Sequence, residues 1–218
     1  WSDLAEETTG VACGGSMLGY GTRLDDDKMI FITHSLGSRI TIDALQRLLG
    51  EIQTSNRPEV RQVAHDLRQS DIQVFMLSNQ LPLIEVGQAP QEVTNAAHLY
   101  CGPGAPKGEG RWFAATHVIA FSDPNDLLSY PIPESWAEKY LDSRLCADIT
   151  NVTINIAPVN SLFGLGEVAN PLAAHSGYGA DERGGGLIAK GAGMPGTDRK
   201  VIERCTWIET DEALMEKF

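Results

Sequence analysis

Serine, aspartate and histidine, the three residue types that together cleave esters by nucleophilic attack, follow one another along this chain. Ser35 comes first, Asp126 follows, and His175 comes last. Such chemistry needs a base that removes the serine proton and a carboxylate that holds the base in one tautomer. We predict that Ser35 is the nucleophile, His175 the base and Asp126 the orienting acid. Asp123 is the alternative acid, although its place before Pro124 also suits a turn cap.

Ser35 lies at the junction between a short apolar run and a helical pattern. Residues 29–32 are all apolar, which is typical of a strand that is buried on both faces. From residue 38 onward, apolar side chains recur at three- and four-residue spacing: Ile42, Leu45, Leu48 and Leu49. A serine at a sharp strand-to-helix turn projects above the sheet edge, where the helix N-terminus favours an oxyanion.

Strand patterns alternate with helical patterns, and this alternation predicts an α/β fold: a mostly parallel sheet with helices on both faces. The predicted strands cover residues 29–32, 71–77, 116–121 and 151–156, and the predicted helices cover residues 38–49, 59–69, 134–146 and 187–190. Ser35 and both aspartates follow strands directly, and His175 lies beyond the fourth strand, so all of them should gather at one sheet edge. Asn79 and Gln80 follow the second strand and would line the same edge.

Three short motifs resemble the α/β-hydrolase superfamily. Residues 33–37 are similar to its nucleophile elbow, and its lipases often carry a histidine just before the serine. Residues 126–133 resemble the acid motif of triacylglycerol-lipase-like members, where prolines closely follow an aspartate. Residues 175–178 resemble their histidine motif, in which a glycine follows shortly after the base. The resemblance spans about residues 29–180 and implies the hydrolase sheet, the Ser…Asp…His order and esterase or lipase activity.

The chain departs from the family pattern at its beginning. Thr33 replaces the usual first glycine of the elbow, and only 34 residues precede Ser35, whereas a full hydrolase sheet has several strands there. The Leu36 N–H is the predicted first oxyanion donor. The glycine loop at residues 14–16 is the nearest candidate for a second donor, but it lies too close to the elbow to match the usual loop. We expect the missing strands to lie in a further N-terminal region or a partner chain, so that this chain is the C-terminal part of a larger member.

Length and composition narrow the class of protein. A chain of 218 residues suits a single α/β domain, with residues 1–24 as a peripheral lead-in and residues 87–113 as a variable loop or lid. A net charge of −12 argues against a nucleic-acid or anionic-membrane surface, and no apolar run is long enough for a transmembrane segment. No Cys-x-x-Cys pair is present, so we do not expect a structural zinc site. The predicted chemistry uses neither a metal nor a cofactor. The four cysteines suit buried thiols, or two disulfides in an exported protein. No signal-peptide pattern is present, which slightly favours a cytoplasmic location.

The predicted function is a serine hydrolase that cleaves a carboxylic ester, of a small molecule or a lipid, through an acyl-enzyme. The alternative is a non-catalytic α/β-hydrolase-like interaction subunit of a larger assembly, which Thr33 and the missing strands favour. A peptidase or a thioesterase would use the same three residues.

Overall fold

The structure is a computed structural model that describes residues 28–84, 90–101, 110–157, 159–161, 167–190 and 208–210. Its strands are β1 (Lys28–His34), β2 (Asp71–Leu77), β3 (Ala115–Ser122), β4 (Ala147–Ile154), β5 (Val159–Ser161), β6 (Glu167–Ala169) and β7 (Ile208–Thr210). Its α-helices are α1 (Gly37–Thr54), α2 (Pro58–Leu67), α3 (Ala97–Tyr100), α4 (Glu134–Tyr140), α5 (Pro171–Ser176) and α6 (Glu182–Lys190).

The main sheet has the strand order β1-β2-β3-β4-β7. The first four strands run parallel, and β7 pairs antiparallel with β4. Strands β5 and β6 form a separate antiparallel pair. The predicted α/β fold with a mostly parallel sheet is therefore confirmed. Because β1 to β3 are parallel neighbours, their carboxyl ends meet at one edge, and this edge carries the candidate site.

Both faces of the sheet are covered, and β2 shows why. Its side chains alternate between two cores: Val74 and Met76 belong to one, Phe75 and Leu77 to the other. The first core is completed by apolar residues of α1 and α4: Ile42, Leu45, Leu49, Trp136 and Tyr140. The second core includes Leu187 of α6. This burial on two sides explains the unbroken apolar run at residues 74–77 of β2.

Helix α1 extends beyond its predicted end. The predicted helix ends at residue 49, just before Gly50, but α1 continues through this glycine to Thr54. Ser55 ends it with an extended backbone (φ −77°, ψ 132°). An isolated glycine inside a helix costs only about 1 kcal/mol relative to alanine, so the amphipathic packing of this 18-residue helix outweighs it.

The predicted helix over residues 134–146 ends early, at Tyr140. Leu141 is extended, and a 3₁₀ turn follows at Ser143–Leu145. The Asp142 carboxylate accepts a hydrogen bond from the Arg144 N–H (2.9 Å), which caps that turn. Aspartate and serine side chains often form such hydrogen bonds to nearby backbone groups, which compete with helix formation. Asp142 and Ser143 therefore interrupt the helical pattern.

A disulfide joins the predicted variable segment to the sheet. Residues 87–113 are described at 90–101 and 110–113, where α3 precedes Cys101. Cys101 is bonded to Cys146, directly before β4, with the two Cα atoms 5.4 Å apart. Sequence spacing could not identify this pair. Cys13, Cys205, the lead-in at residues 1–24 and the glycine loop at 14–16 lie outside the described residues.

Strand β1 is the outer strand of the sheet in the described ranges, because it pairs with β2 on one side only. The prediction that residues 29–32 are buried on both faces is therefore wrong within the described ranges, where Ile30 and Ile32 are 49% and 56% exposed. Ile40 and Leu48 on α1, which covers the other face, are exposed as well. In the part of the chain that the structure describes, the outer side of β1 therefore presents unpaired backbone groups between two apolar surfaces.

Candidate active site

Ser35 occupies a strained turn between β1 and α1. Its φ is +55°, a left-handed value that few non-glycine residues adopt. Two hydrogen bonds hold this conformation: the Ser35 N–H donates to the Leu77 carbonyl (2.9 Å), and the Ser38 hydroxyl donates to the Ser35 carbonyl (2.7 Å). Strain of this kind is stored where the surrounding structure fixes it, and functional sites are a common place for it. The turn directs the Ser35 hydroxyl to His175.

The threonine at the start of the elbow fits without disturbing the turn. Its hydroxyl donates to the Phe75 carbonyl on β2 (3.3 Å), so Thr33 is anchored within the sheet. A Cβ built on Gly37 would lie 3.5 Å from the Thr33 Cβ, an ordinary van der Waals distance. The crossing of α1 over β1 therefore leaves space for the Thr33 side chain. A glycine at position 33, as in the family pattern, is not needed to avoid a clash at this contact.

His175 lies near the end of α5 and contacts Ser35. Its Nε2 is 3.1 Å from the Ser35 Oγ. The Asn170 side chain caps α5 by accepting from the N–H groups of Leu172 and Ala173, which fixes the helix that carries the imidazole. Gly177, two residues after His175, packs closely against Ile156. A Cβ at this position would lie 2.5 Å from a methyl group of Ile156, so a larger residue would clash there.

Asp126 lies on the other side of the His175 ring. Its two carboxylate oxygens are 3.0 and 3.1 Å from the His175 Nδ1. The carboxylate side chain is only 1% exposed, and its Oδ1 also accepts from the Leu128 N–H (3.0 Å). A buried carboxylate at Nδ1 selects the tautomer with its proton there. The Nε2 lone pair then faces the Ser35 hydroxyl and can accept its proton.

Asp123, the alternative acid, does not contact His175. Its Oδ2 accepts from the Ile156 and Ala157 N–H groups (2.6 and 3.3 Å). Its Oδ1 accepts from the backbone and side-chain amides of Asn125 (2.7 and 3.0 Å). Asp123 therefore ties the loop after β3 to the chain that leaves β4, and the structure brings Asp126 rather than Asp123 to the histidine.

Leu36, the predicted oxyanion donor, directly precedes α1. The Leu36 carbonyl accepts from the Ile40 N–H (3.1 Å), and the Ser35 carbonyl accepts from the Ser38 N–H (3.1 Å). Among the described residues, no acceptor pairs with the Leu36 N–H, so this amide is available at the helix N-terminus beside Ser35. The described part of the chain supplies no identified second donor.

Two residues at the site were not predicted from the sequence. Ser78, directly after β2, contacts both Asp126 and His175. His34 donates from its Nε2 to the His175 carbonyl (2.9 Å), and the two rings meet edge-on with centroids 5.3 Å apart. The available signals were positional: His34 adjoins the nucleophile, and Ser78 adjoins Asn79 and a strand end.

Asn79, predicted to line the edge, links loops instead. Its side-chain amide donates to the Tyr130 carbonyl (2.6 Å), and the Tyr130 N–H donates to the Asn79 carbonyl (2.8 Å). Both bonds fix the loop that carries Asp126. Gln80 is buried, and its N–H donates to the Ser38 hydroxyl (3.3 Å), so it supports the elbow.

Tyr178 is a buried neighbour of the site. Burial raises the pKa of its phenol far above the ordinary value; the hydrogen bond with the Ser129 hydroxyl opposes this shift, and the nearby carboxylates of Asp126 and Asp123 add to it. The phenol is therefore neutral at physiological pH. Its hydroxyl lies 3.1 Å from the Ser129 Oγ, which in turn accepts from the Asp123 N–H. Through Ser129, Tyr178 is linked to the loop that carries Asp123 and Asp126.

A cavity of about 830 Å³ lies away from these residues. Its wall is formed by α4, the start of β4 and the disulfide, and none of Ser35, Asp126 and His175 lines it. The candidate site is instead the open edge formed by the carboxyl ends of the strands. In the described ranges, no group of three or more histidine, cysteine or acidic side chains is arranged to hold a metal ion. No helix in the same ranges is both long and apolar enough to cross a membrane.

Comparison of the chain with protein-family models, with curated proteins and with solved structures found no match. Any function must therefore be argued from the geometry of the site.

Proposed function

We propose that this protein is a serine hydrolase that cleaves carboxylic esters through an acyl-enzyme. The observation that carries the proposal is a continuous hydrogen-bonded chain: Ser35 Oγ is 3.1 Å from His175 Nε2, and His175 Nδ1 is 3.0 Å from Asp126. A hydroxyl, an imidazole and a buried carboxylate in this order are the parts of an activated nucleophile.

Each group has one role in the proposed reaction. The Ser35 oxygen bonds to the acyl carbon while its proton moves to His175 Nε2, and Asp126 stabilises the resulting imidazolium. The Leu36 N–H donates to the oxyanion of the tetrahedral intermediate. The intermediate collapses, the carbon–alkoxy bond breaks, and the alcohol leaves with the proton from Nε2. Water, deprotonated by the same nitrogen, then hydrolyses the acyl-enzyme and restores Ser35.

Exposed leucines around the site favour an apolar acyl or lipid ester as substrate. Leu127 and Leu128 follow Asp126 directly and are 66% and 45% exposed. Leu36 adjoins the nucleophile, and Leu172 lies on the helix that carries the base; they are 51% and 74% exposed. An apolar surface rimmed by the loops of a site offers a place for an acyl chain.

Ester hydrolysis by the purified protein tests the proposal. We expect turnover of 4-nitrophenyl esters, with longer acyl chains preferred to acetate, and loss of turnover in Ser35→Ala. Ser55→Ala, at the far end of α1, is the matched control and should keep wild-type turnover. Full esterase activity in a folded Ser35→Ala variant would overturn the proposal. Thioester and peptide substrates in the same panel separate the esterase from a thioesterase or peptidase.

We propose further that β1 pairs with polypeptide outside the described ranges, in a preceding region of the protein or a partner chain. Support comes from the edge of β1 that has no partner strand among the described residues and from exposed Ile30 and Ile32 on the same strand. A parallel strand there would satisfy the backbone groups of β1, and flanking helices would cover the apolar side chains. Hydrogen exchange on the whole protein should then show the outward amides of β1 to be protected. Fast exchange of those amides would contradict the pairing.

A second candidate function is that of a non-catalytic interaction subunit. The unpaired edge of β1 favours it, because this edge could bind another polypeptide. The lack of an identified second oxyanion donor in the described residues favours it as well. A fluorophosphonate separates the two, since it labels only an activated serine. Labelling that is lost in Ser35→Ala supports the hydrolase. An unlabelled, folded protein supports the interaction subunit.

A further inference from the structure

Ser78 is a fully buried polar residue in contact with two members of the candidate triad. Its relative exposure is 0%, and it lies directly after β2, between the strands that lead to Ser35 and Asp126. Its hydroxyl donates to the Asp126 Oδ2 at 2.7 Å. The same oxygen lies 2.9 Å from the His175 Nδ1. No other described side chain contacts both the acid and the base through hydrogen bonds.

We propose that Ser78 is a positioning residue that holds Asp126 and His175 in the reactive arrangement; this inference rests on the proposed hydrolase function. One hydroxyl can serve both neighbours because its proton and its lone pairs point in different directions. The proton goes to the Asp126 carboxylate, and a lone pair accepts part of the His175 Nδ1–H. The imidazole proton is thus shared between a carboxylate and a hydroxyl, both of which act only as its acceptors.

This arrangement strengthens the tautomer that the chemistry needs. With two acceptors at Nδ1, a neutral imidazole gains nothing by moving its proton to Nε2, where it would face the Ser35 hydroxyl. The donated hydrogen bond also fixes the Asp126 carboxylate, since a buried anion must have its lone pairs satisfied. The hydrogen bond made by one ring nitrogen of a histidine sets the tautomer and thereby the role of the other nitrogen.

The backbone conformation of Ser78 does not explain why this residue is a serine, whereas the contacts of its hydroxyl do. Its φ is +51°, a conformation that glycine adopts without cost and other residues rarely adopt. The turn is held by its neighbour: the Asn79 N–H donates to the Phe121 carbonyl (2.9 Å), and the Asn79 side chain bonds to Tyr130. If the turn alone mattered, glycine would be the better residue here. Serine keeps the strained conformation and gains the two contacts to the triad.

Two substitutions separate the hydroxyl from the backbone. Ser78→Ala removes the oxygen and keeps the strain, whereas Ser78→Gly removes the oxygen and relieves the strain. We expect kcat to fall about 10- to 100-fold in both variants, the range for losing a hydrogen bond to a charged group, with KM unchanged. Ser129→Ala is the control, because Ser129 is also a buried serine of this region but bonds to Asp123 and Tyr178. It should lose stability and keep most of its kcat.

A second readout does not depend on turnover. In ¹⁵N-histidine NMR of the wild-type protein, His175 should appear as a single Nδ1–H tautomer with a strongly downfield proton. In both Ser78 variants that proton should move upfield and the Nε2–H tautomer should appear.

The outcomes are distinct. Wild-type kcat in Ser78→Ala, or recovery of kcat in Ser78→Gly, would overturn the positioning role. An unchanged His175 proton in both variants would overturn it as well. If the NMR signals change as expected while the wild-type protein hydrolyses no ester and takes no fluorophosphonate, the positioning role stands and the proposed function fails.

Discussion

Replacing Asp126 with asparagine should reverse the tautomer of His175. The Leu128 N–H donates to Oδ1 of Asp126 (3.0 Å), so the amide oxygen of Asn would take the Oδ1 position. The amide nitrogen would then occupy the Oδ2 position, 3.1 Å from Nδ1 and 2.7 Å from the Ser78 hydroxyl. The amide N–H groups would point at Nδ1 and at the Ser78 oxygen, so the Ser78 hydroxyl could no longer donate to residue 126 and would turn its own proton towards Nδ1. Although the amide oxygen would stay 3.0 Å from Nδ1, these donors favour an unprotonated Nδ1, and the imidazole proton would move to Nε2. His175 would then present an N–H to Ser35, which it could no longer deprotonate.

The expected loss is large because the base is wrongly protonated in most molecules. A triad aspartate changed to asparagine without loss of geometry typically lowers kcat by about 10⁴-fold. At 1.36 kcal/mol for each factor of ten, this corresponds to about 5 kcal/mol of transition-state stabilisation. The volume of the side chain is nearly unchanged, so the fold and KM should be kept.

Asp123→Asn is the matched control, since it makes the same chemical change three residues earlier. Asp123 accepts from the backbone of Ile156 and Ala157 and does not contact the imidazole. The Asp123→Asn variant should lose about 1.5–3 kcal/mol of stability, the range for a hydrogen bond to a charged group. Its loss of kcat should be far smaller than that of Asp126→Asn. Steady-state kinetics on a 4-nitrophenyl ester, with a urea unfolding curve for each variant, provide the comparison. Asp126→Asn with kcat within tenfold of wild type, or a larger kcat loss in Asp123→Asn, would refute the assignment of Asp126.

Two further predictions concern stability. The disulfide between Cys101 and Cys146 closes a loop with a sequence separation of 45 residues, for which the chain-entropy relation gives about 4 kcal/mol; a double alanine variant should unfold at clearly lower urea, and an unchanged midpoint would contradict the bond. Burial raises the pKa of the Asp181 carboxyl, but hydrogen bonds from Arg183 and the Gly184 N–H outweigh it, so the pKa is lowered overall. A lowered carboxyl pKa contributes stability above the unfolded-state pKa that is lost as the pH falls through the folded-state pKa. Asp181→Asn should therefore be less stable than wild type at pH 7 and equal to it in strong acid, and a difference that persists there would contradict this linkage.

The regular elements were predictable because one physical rule dominates each of them. The apolar residues at 74–77 and 118–121 are typical of β2 and β3, since both faces of these strands are buried. Helix ends were predicted less well, because local bonds decide them. Gly50 did not end α1, and the cap formed by Asp142 ended the predicted 134–146 helix at Tyr140.

At the site, residue type and order suggested Ser35, Asp126 and His175, but not how they meet. Asp123 and Asp126 both follow the same strand, and only the turn at residues 123–126 determines which carboxylate reaches the imidazole. The position of Ser78 at a strand end does not by itself indicate the contact with His175, because that contact joins residues 97 positions apart in the sequence. The Cys101–Cys146 pair is likewise a property of tertiary placement, since cysteine spacing alone leaves the pairing open.

The nucleophilicity of Ser35 is the central claim, and it is tested most directly by mass spectrometry after treatment with a fluorophosphonate. We predict a single adduct on the whole protein, mapped to the peptide that contains Ser35, and no adduct in the folded Ser35→Ala variant. A folded wild-type protein that remains unmodified, or an adduct on another serine that persists in Ser35→Ala, would contradict the account.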